Sequence, residues 1–401
     1  MRWSIGFFLH ETAFGLLSIF LPLYVTGAVV RGSLVDVGVM VALAAFLGIP
    51  FSFLWGYLGD KTGRFKPFIL MSFSLMAVLL YFFSSTTDVP TLILLYGVIA
   101  VFHVAHEAPK NVLIAESYSR QDWERNFATY EFLTELGWLI GLVLGFLTSV
   151  YALNASLILL ITSGLNLAAF ATSALFVHDP PLILERGLVG MERTLSFAQR
   201  GFSLMWRADD GEIVKDKLKN ENALAYFAGL VLFSLATSMF FTPLPVFFSQ
   251  GMGLPSSLVF AIFTINAAGG TLGYFFARRR AQAHVGGERA TLKRTVLARG
   301  ILALLLTSPI ILVSVSTQIL AVIVLTLMGF AYALFLIATL SISMEVLPEG
   351  KAGLFNVLIG VGAAAGCLIG PVMADTFSFL LVFVASSVIF LLSYVAFKIF
   401  A

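Results

Sequence analysis

The sequence predicts an all-α polytopic membrane protein of twelve transmembrane helices, arranged as two pseudo-symmetric six-helix bundles. Three observations carry that expectation. Apolar residues make up 59% of the 401-residue chain, with 39 Phe and a mean hydropathy of +0.97, far outside the range of soluble domains. Apolar runs long enough to cross a hydrocarbon core, about 20 residues each, recur along its whole length. The later runs also repeat features of the earlier ones.

Taken in order, the first six spans fall near 4–26, 33–58, 66–86, 90–115, 126–149 and 154–177. The second six fall near 223–248, 257–277, 295–315, 317–345, 353–374 and 376–400. The first run has a basic tip like a secretion signal, but His10 and Glu11 interrupt it and no small-residue cleavage site follows. It is read as an uncut first helix. The one cysteine, Cys367, lies inside the eleventh span and offers neither a disulfide framework nor a metal cluster. Two domains, 1–177 and 223–401, then flank a polar segment, 178–222. There Arg186, Arg193, Arg200 and Arg207 recur every seventh residue, with Leu195, Phe202, Leu204, Met205 and Trp206 as a candidate apolar side. Two readings stay open for it: a helix lying on anionic headgroups, or a solvated linker.

Lys and Arg collect in cytoplasmic loops. With the N-terminus inside, 22 of the 24 basic residues fall on that side, including seven in 178–222 and seven in 278–299. Arg31 is left outside and Lys110 within the membrane. Both termini are therefore expected in the cytoplasm. The reading counts Arg299 with the loop and finds no charge deep in the second half.

The turn between spans 2 and 3 reads GYLGDKTGRFK, from Gly56 to Lys66. It resembles the signature loop of the major facilitator superfamily, Gly-x-Leu-x-Asp-Arg-x-Gly-Arg-Lys, with Lys61 in place of Arg and Phe65 ahead of Lys66. Its glycines permit a close turn, and Asp60 can pair with a basic neighbour or cap a helix. The repeat agrees with the resemblance. FLPLYV from Phe20 is answered by FTPLPV from Phe241, Gly56-Tyr57 by Gly273-Tyr274, and Glu116 by Glu345. Gly137, Gly141 and Gly145 are answered by Gly362, Gly366 and Gly370, and both ladders are read as close helix packing. Gly-Pro occurs at Gly370-Pro371 and not after Gly141, a departure from the antiporter motif of family exporters.

The resemblance implies a secondary transporter whose halves open a central site alternately to each side. Gly56, Asp60, Gly63, Arg64, Glu116 and Glu345 would form its cytoplasmic gate. Ionisable groups inside the spans are costly and are functional suspects. His10 and Glu11 lie in span 1, His103, His106, Glu107 and Lys110 in span 4, and Glu131 and Glu135 in span 5. At 1.5 Å per residue, Glu11 is about 12 Å from Trp3, Glu107 about 14 Å from Glu116 and Glu135 about 15 Å from Arg125. All three approach the midplane. His103, Glu107 and Lys110 follow i, i+4, i+7 spacing with His106 beside them, which places the set on one helix face. Burial disfavours a charged carboxylate and a nearby ammonium favours it, a balance that suits a group taking and releasing protons. Glu107, Glu135 and Glu11 are the proposed proton carriers, with Lys110 as charge partner. Glu131 and His10 are weaker candidates. Asn266, Asn356 and Tyr332, together with His103 and His106, are candidates for the solute cavity, and Thr237, Ser238 and Phe240 are further residues of the second half that could contact it.

HETAF from His10 lacks the second His of a zinc peptidase, and HVAHE from His103 has the wrong order for the inverted motif, so an enzyme is not expected. His103, His106 and Glu107 could instead bind a transition metal as cargo, and a non-transporting receptor is a third reading. No nucleotide fingerprint appears, and topology accounts for the basic loops, so neither a cofactor nor nucleic acid is expected. The expected partners are a small solute, protons and the lipid bilayer, for a monomer in the plasma membrane. The topology is testable by impermeant labelling of single cysteines in a Cys367→Ser background. Positions in 60–66, 178–222 and 278–294 should stay silent in intact cells, while 27–32, 84–90 and 249–256 label. Labelling of position 62 from outside would reverse the assignment.

Overall fold

The computed structural model describes residues 2–117, 123–179, 222–282, 287–311, 315–346 and 353–400. Among these residues regular structure is helical throughout. The first half comprises α1 (Ile5–Val25), α2 (Leu34–Thr62), α3 (Lys66–Ser84), α4 (Val89–His103), α5 (Glu107–Ser117), α6 (Trp123–Val150) and α7 (Ala155–Phe176). A 3₁₀ turn, Val104–His106, joins α4 to α5. The second half comprises α8 (Ala223–Phe241), α9 (Ser256–Gln282), α10 (Glu288–Leu305), α11 (Val315–Val346), α12 (Gly353–Thr376) and α13 (Phe379–Phe400). Pro243 and Pro245, which lack an N–H, interrupt the end of α8, and the chain continues through Leu244–Val246 and a π-turn, Phe247–Gly251.

Eleven helices among the described residues are long and apolar enough to cross a membrane, and they follow the predicted spans closely. The chain is an integral membrane protein. The ninth predicted span, 295–315, is the one that differs. Its helix starts earlier, at Glu288, and carries Arg289, Lys293, Arg294 and Arg299, which depress the apolar average. Arg299 does not belong to the basic loop. It is a fully buried residue of α10, 1% exposed, so the second half does hold a charge at depth.

Local side chains start several helices. Ser33 and Asp36 form a reciprocal box at the start of α2, with Ser33 N–H donating to Asp36 Oδ2 at 2.7 Å and Asp36 N–H to Ser33 Oγ at 3.1 Å. Asn154 accepts from Leu157 N–H at 2.7 Å before α7. Asp88 accepts from the Thr91 hydroxyl at 2.6 Å and its amide at 3.0 Å, and these bonds hold its carboxyl below the usual range. Gly63, at φ +62°, ends α2 in the left-handed region, which answers why the signature turn needs a glycine there. Its successor helix is started from elsewhere. Asp179 Oδ1 accepts the Phe65 and Lys66 N–H groups, both at 2.7 Å, while Lys66 Nζ donates to the Ala174 carbonyl at 2.7 Å. The Asp60 side chain, which was expected to cap a helix, lies outside the described residues, as do those of Glu116 and Glu345 and nearly all of the linker.

The chain divides into two compact units. The first holds 2–31 and the described part of 43–179; the second holds 32–42 and the described part of 222–400. Equivalent helix pairs build each. In the first unit α1 packs on α6 and α7, and α3 on α7; in the second α8 packs on α12 and α13, and α10 on α13. The glycine ladders sit at the α1–α6 and α8–α12 seams. A Cβ on Gly137 or Gly141 would overlap the carbonyl oxygen of Phe8 or Thr12. One on Gly362, Gly366 or Gly370 would overlap that of Val231, Leu235 or Met239. Small residues here let backbones touch, which is where dispersion contacts are densest. Gly164 in α7 has nothing within 4 Å of such a Cβ. The same change should therefore have opposite effects: Gly141→Ala lowers stability in detergent by about 2 kcal/mol, and Gly164→Ala leaves it unchanged or raises it by up to about 1 kcal/mol. Equal thermal shifts would refute the packing role.

Candidate functional site

The polar groups of the first unit form one string. His10 is 0% exposed inside α1, where three rings from other positions close round it: Phe14 at 4.9 Å, Phe73 at 4.6 Å and His106 at 4.7 Å between centroids. Asn166 of α7 donates its Nδ2–H to the Thr162 carbonyl at 2.9 Å, which turns its oxygen towards His10 Nδ1 at 2.7 Å. An amide oxygen accepts, so His10 Nδ1 carries the hydrogen and Nε2 is left to accept from His103 Nδ1, 3.1 Å away. Ser72 of α3 lies between the other two histidines. Its hydroxyl is 3.4 Å from the His103 carbonyl and 3.3 Å from His106 Nδ1.

The string passes from His106 into α5. His106 Nε2 lies 3.4 Å from Glu107 Oε1, and Lys110 Nζ lies 2.6 Å from Glu107 Oε2. Lys110 also stands 5.5 Å over the Tyr130 ring, which is itself stacked on Trp3 at 5.7 Å. The 3₁₀ turn at 104–106 corrects the expectation of one uninterrupted helix face. Across it His106, Glu107 and Lys110 still follow one another in contact, with His106 fully buried and Glu107 partly exposed. Beyond them is a cavity of about 130 Å³ lined by Glu11, Lys110, Glu131, Thr134, Glu135 and Trp138. Two proposed proton carriers, Glu11 and Glu135, thus share a wall with Lys110. Glu131, ranked lower on sequence, lines the same space.

In the second unit the predicted cavity residues are scattered. Asn266 donates to the Leu325 carbonyl at 2.6 Å in the α9–α11 seam, against Gly329. Asn356 is exposed on α12. Tyr332 of α11 is 38% exposed and borders Arg299, the buried charge that sequence reasoning placed in a loop. The signal was available, since Arg299 stands four positions inside the predicted ninth span. Asn166 and Ser72 gave no such signal, because polar residues in apolar helices commonly bond to their own backbone.

The bond from Asn166 orients the whole string. Asn166→Leu keeps the branched shape but puts two larger methyl groups in a fully buried place and strands His10 Nδ1–H, and should cost about 2 kcal/mol or more. It should also shift the ring signals of both His10 and His103 in NMR spectra of histidine-labelled protein. A shift at His10 alone would break the chain of inference at His103.

Comparison with known proteins places this arrangement in context. A family model described as Major Facilitator Superfamily matches residues 3–356. Among solved structures, the nucleoside transporter NupG is similar at a TM-score of 0.69 and 14% identity, over 99% of this chain and 97% of that one. A POT family transporter in complex with 5-aminolevulinic acid gives 0.74 at 12% identity, over 98% and 94%. A bacterial homologue of the human lysosomal transporter Spinster gives 0.67 at 12%, over 100% and 96%. A search of curated proteins finds no match. The fold is thus shared at low identity, and the family match covers most of the chain: this protein belongs to the Major Facilitator Superfamily.

Proposed function

We propose that the chain is a secondary active transporter that moves a small solute by alternating access and couples it to protons through Glu11, Glu107 and Glu135. The observation that supports this most is the Glu107–Lys110 pair, 2.6 Å long, beside a cavity that Lys110 shares with Glu11, Glu131 and Glu135. One ammonium can neutralise one carboxylate well at a time. In a low-dielectric wall a carboxylate without it carries a desolvation cost that a proton removes. Exchange of Lys110 between Glu107 and its neighbours would then oblige the abandoned group to take up a proton and the adopted one to release it. His10 and His103 are joined ring to ring, and Ser72 links His106 Nδ1 to the His103 backbone carbonyl, so the histidines stand beside the carboxylates without a continuous ring-to-ring path.

In this reading the six-helix halves, 1–177 and 223–401, move about the cytoplasmic linker 178–222 in the plasma membrane, with both termini inside and the chain acting as a monomer. Gly56, Asp60, Gly63 and Arg64, with Glu116 and Glu345, serve the cytoplasmic gate. Asn266, Asn356 and Tyr332 contribute to holding the solute.

A second reading has one observation in its favour. His10, His103 and His106 bring ring nitrogens within 4.8 Å of one another, a donor set suited to a transition metal as cargo. Coordination through His10 would have to break its bond to His103 or to Asn166, which makes this the weaker reading. One assay separates the two. In vesicles with an imposed pH gradient, Glu107→Gln or Glu135→Gln should abolish gradient-driven solute movement while solute still binds, and Zn²⁺ at constant pH should have no effect on either. Full pH-driven transport in both variants and in Glu11→Gln would overturn the proton assignment, whereas Zn²⁺ uptake lost in His10→Ala would support the metal.

A further inference from the structure

Among the described residues, Arg299 is the one buried charge that the proton string does not use. Its guanidinium carbon lies 5.1 Å from the Phe233 ring, 5.5 Å from Phe241, 5.3 Å from Tyr332 and 5.2 Å from Phe390. Three helices besides its own, α8, α11 and α13, supply these rings. Their faces offset part of the cost of burying the cation. They cannot satisfy its N–H groups, which need lone pairs in the guanidinium plane. Nε and Nη2 have no hydrogen-bond partner, and among the described residues no carboxylate pairs with Arg299.

Three considerations turn this cage from a packing feature into a site. An arginine does not shed its charge in a protein, so the cost that the four rings leave has to be met by acceptors in the guanidinium plane, and an anion meets it most fully. Nε and Nη2 form one edge of the guanidinium, the fork that receives both oxygens of a single carboxylate or phosphate. One wall of the cage, Tyr332, is 38% exposed while Arg299 is 1% exposed, so an anion would enter by displacement of the Tyr332 ring. Arg299 stands eleven residues into α10, about 16 Å along the helix. It is five residues, about 7.5 Å, beyond Arg294, the last of the helix's other basic residues, so a solute and a lipid headgroup have to be told apart by experiment.

We infer that Arg299, within the ring of Phe233, Phe241, Tyr332 and Phe390, is a binding site for the carboxylate or phosphate group of an anionic solute. This rests on the transport reading and deepens it by naming the solute's charge. The junction is the counterpart of the histidine cluster in the first unit. Gly137 and Gly141 abut Phe8 and Thr12 while Gly362 and Gly366 abut Val231 and Leu235, so Phe233 stands in its seam where His10 stands in the other, with different chemistry. A flat, apolar-walled cage with one cationic edge favours a monoanion whose remaining body is planar or apolar over a highly hydrated polyol.

The test needs no pH gradient, so its failure and the failure of proton coupling are distinguishable. Purified protein in detergent is melted while sodium acetate, phosphate or sulfate is titrated against sodium chloride at equal ionic strength. A ligand that binds only the folded state raises the melting temperature saturably. At least one oxyanion should do so in the wild type, and Arg299→Met should abolish the rise. Arg299→Lys keeps the charge but loses the fork, and should need at least tenfold more anion for the same shift. Lys110→Gln, on the other unit, should leave the rise intact. The inference is overturned by a wild type without an oxyanion-specific shift, by an undiminished shift in Arg299→Met, or, if that variant does not fold, by an unchanged midpoint in Arg299→Lys. Added phosphatidylglycerol provides the remaining arm. If it produces the Arg299-dependent shift and the soluble anions do not, the occupant is a lipid headgroup and the solute assignment is wrong.

Discussion

Glu107 and Lys110 meet at 2.6 Å in a bundle built mainly of Phe, Leu, Ile, Val and small residues. An isolated charge in such surroundings costs several kcal/mol even after relaxation, so the position of each ionisable group is tied to the position of its partner. The 3₁₀ turn at 104–106 matters for that reason. Across it the buried His106 is followed in contact by Glu107 and then Lys110. Tyr130 supports the lysine through its ring and is itself locked by Trp3 and Phe7, with centroids 5.7 Å and 5.6 Å away. Aromatic packing at the start of α1 and electrostatics near the cavity therefore belong to one connected structure. A change at Trp3 would be felt at Lys110.

The two units solve the same packing problem with different contents. In both, a glycine ladder draws two helices into backbone contact, α1 with α6 and α8 with α12. In both, the remaining helices leave a junction beside that seam. The first unit fills its junction with His10, His103, Ser72, His106 and Asn166, where the His10 ring is matched on both nitrogens while His106 Nε2 has no hydrogen-bond partner. The second fills it with Phe233, Tyr332, Phe390 and an arginine whose edge is unmatched. A matched ring pair such as His10 and His103 is suited to passing protons, because each ring nitrogen can exchange roles with its neighbour. An unmatched cation is suited to receiving an anion. The division of labour proposed for this transporter follows from that difference, with the scaffold itself held common by the repeat.

Much of this architecture was legible in the sequence, and the parts that were not share a cause. Spans emerge from composition, since a hydrocarbon core demands about 20 apolar residues, and eleven helices answer to eleven of the twelve runs. The ladders at Gly137 and Gly362 were readable because spacing alone puts small residues on one face. Arg299 was misassigned for a specific reason: counting basic residues by loop sweeps in any arginine near a span end, even one four positions inside the predicted span, and the cage of four rings shows what holds it there. The His10–Asn166 bond joins residues 156 positions apart, and neither residue announces the other. Asp179 was missed in the same way, being the cap of a helix more than a hundred positions earlier. The 3₁₀ turn escaped because i, i+4 spacing assumes an unbroken helix, although Pro109, which has no N–H for the carbonyl of Ala105 four residues back, was there to warn otherwise.

The account stands on the claim that carboxylates of the first unit change protonation as the protein works. Difference infrared spectroscopy on reconstituted protein, stepped between acidic and alkaline pH, reads that change directly as the appearance of a protonated-carboxyl band. The account predicts such a band, its loss or weakening in at least one of Glu11→Gln, Glu107→Gln and Glu135→Gln, and its persistence in Arg299→Lys. A spectrum without the band, or a band that survives all three glutamine substitutions unchanged, would contradict it.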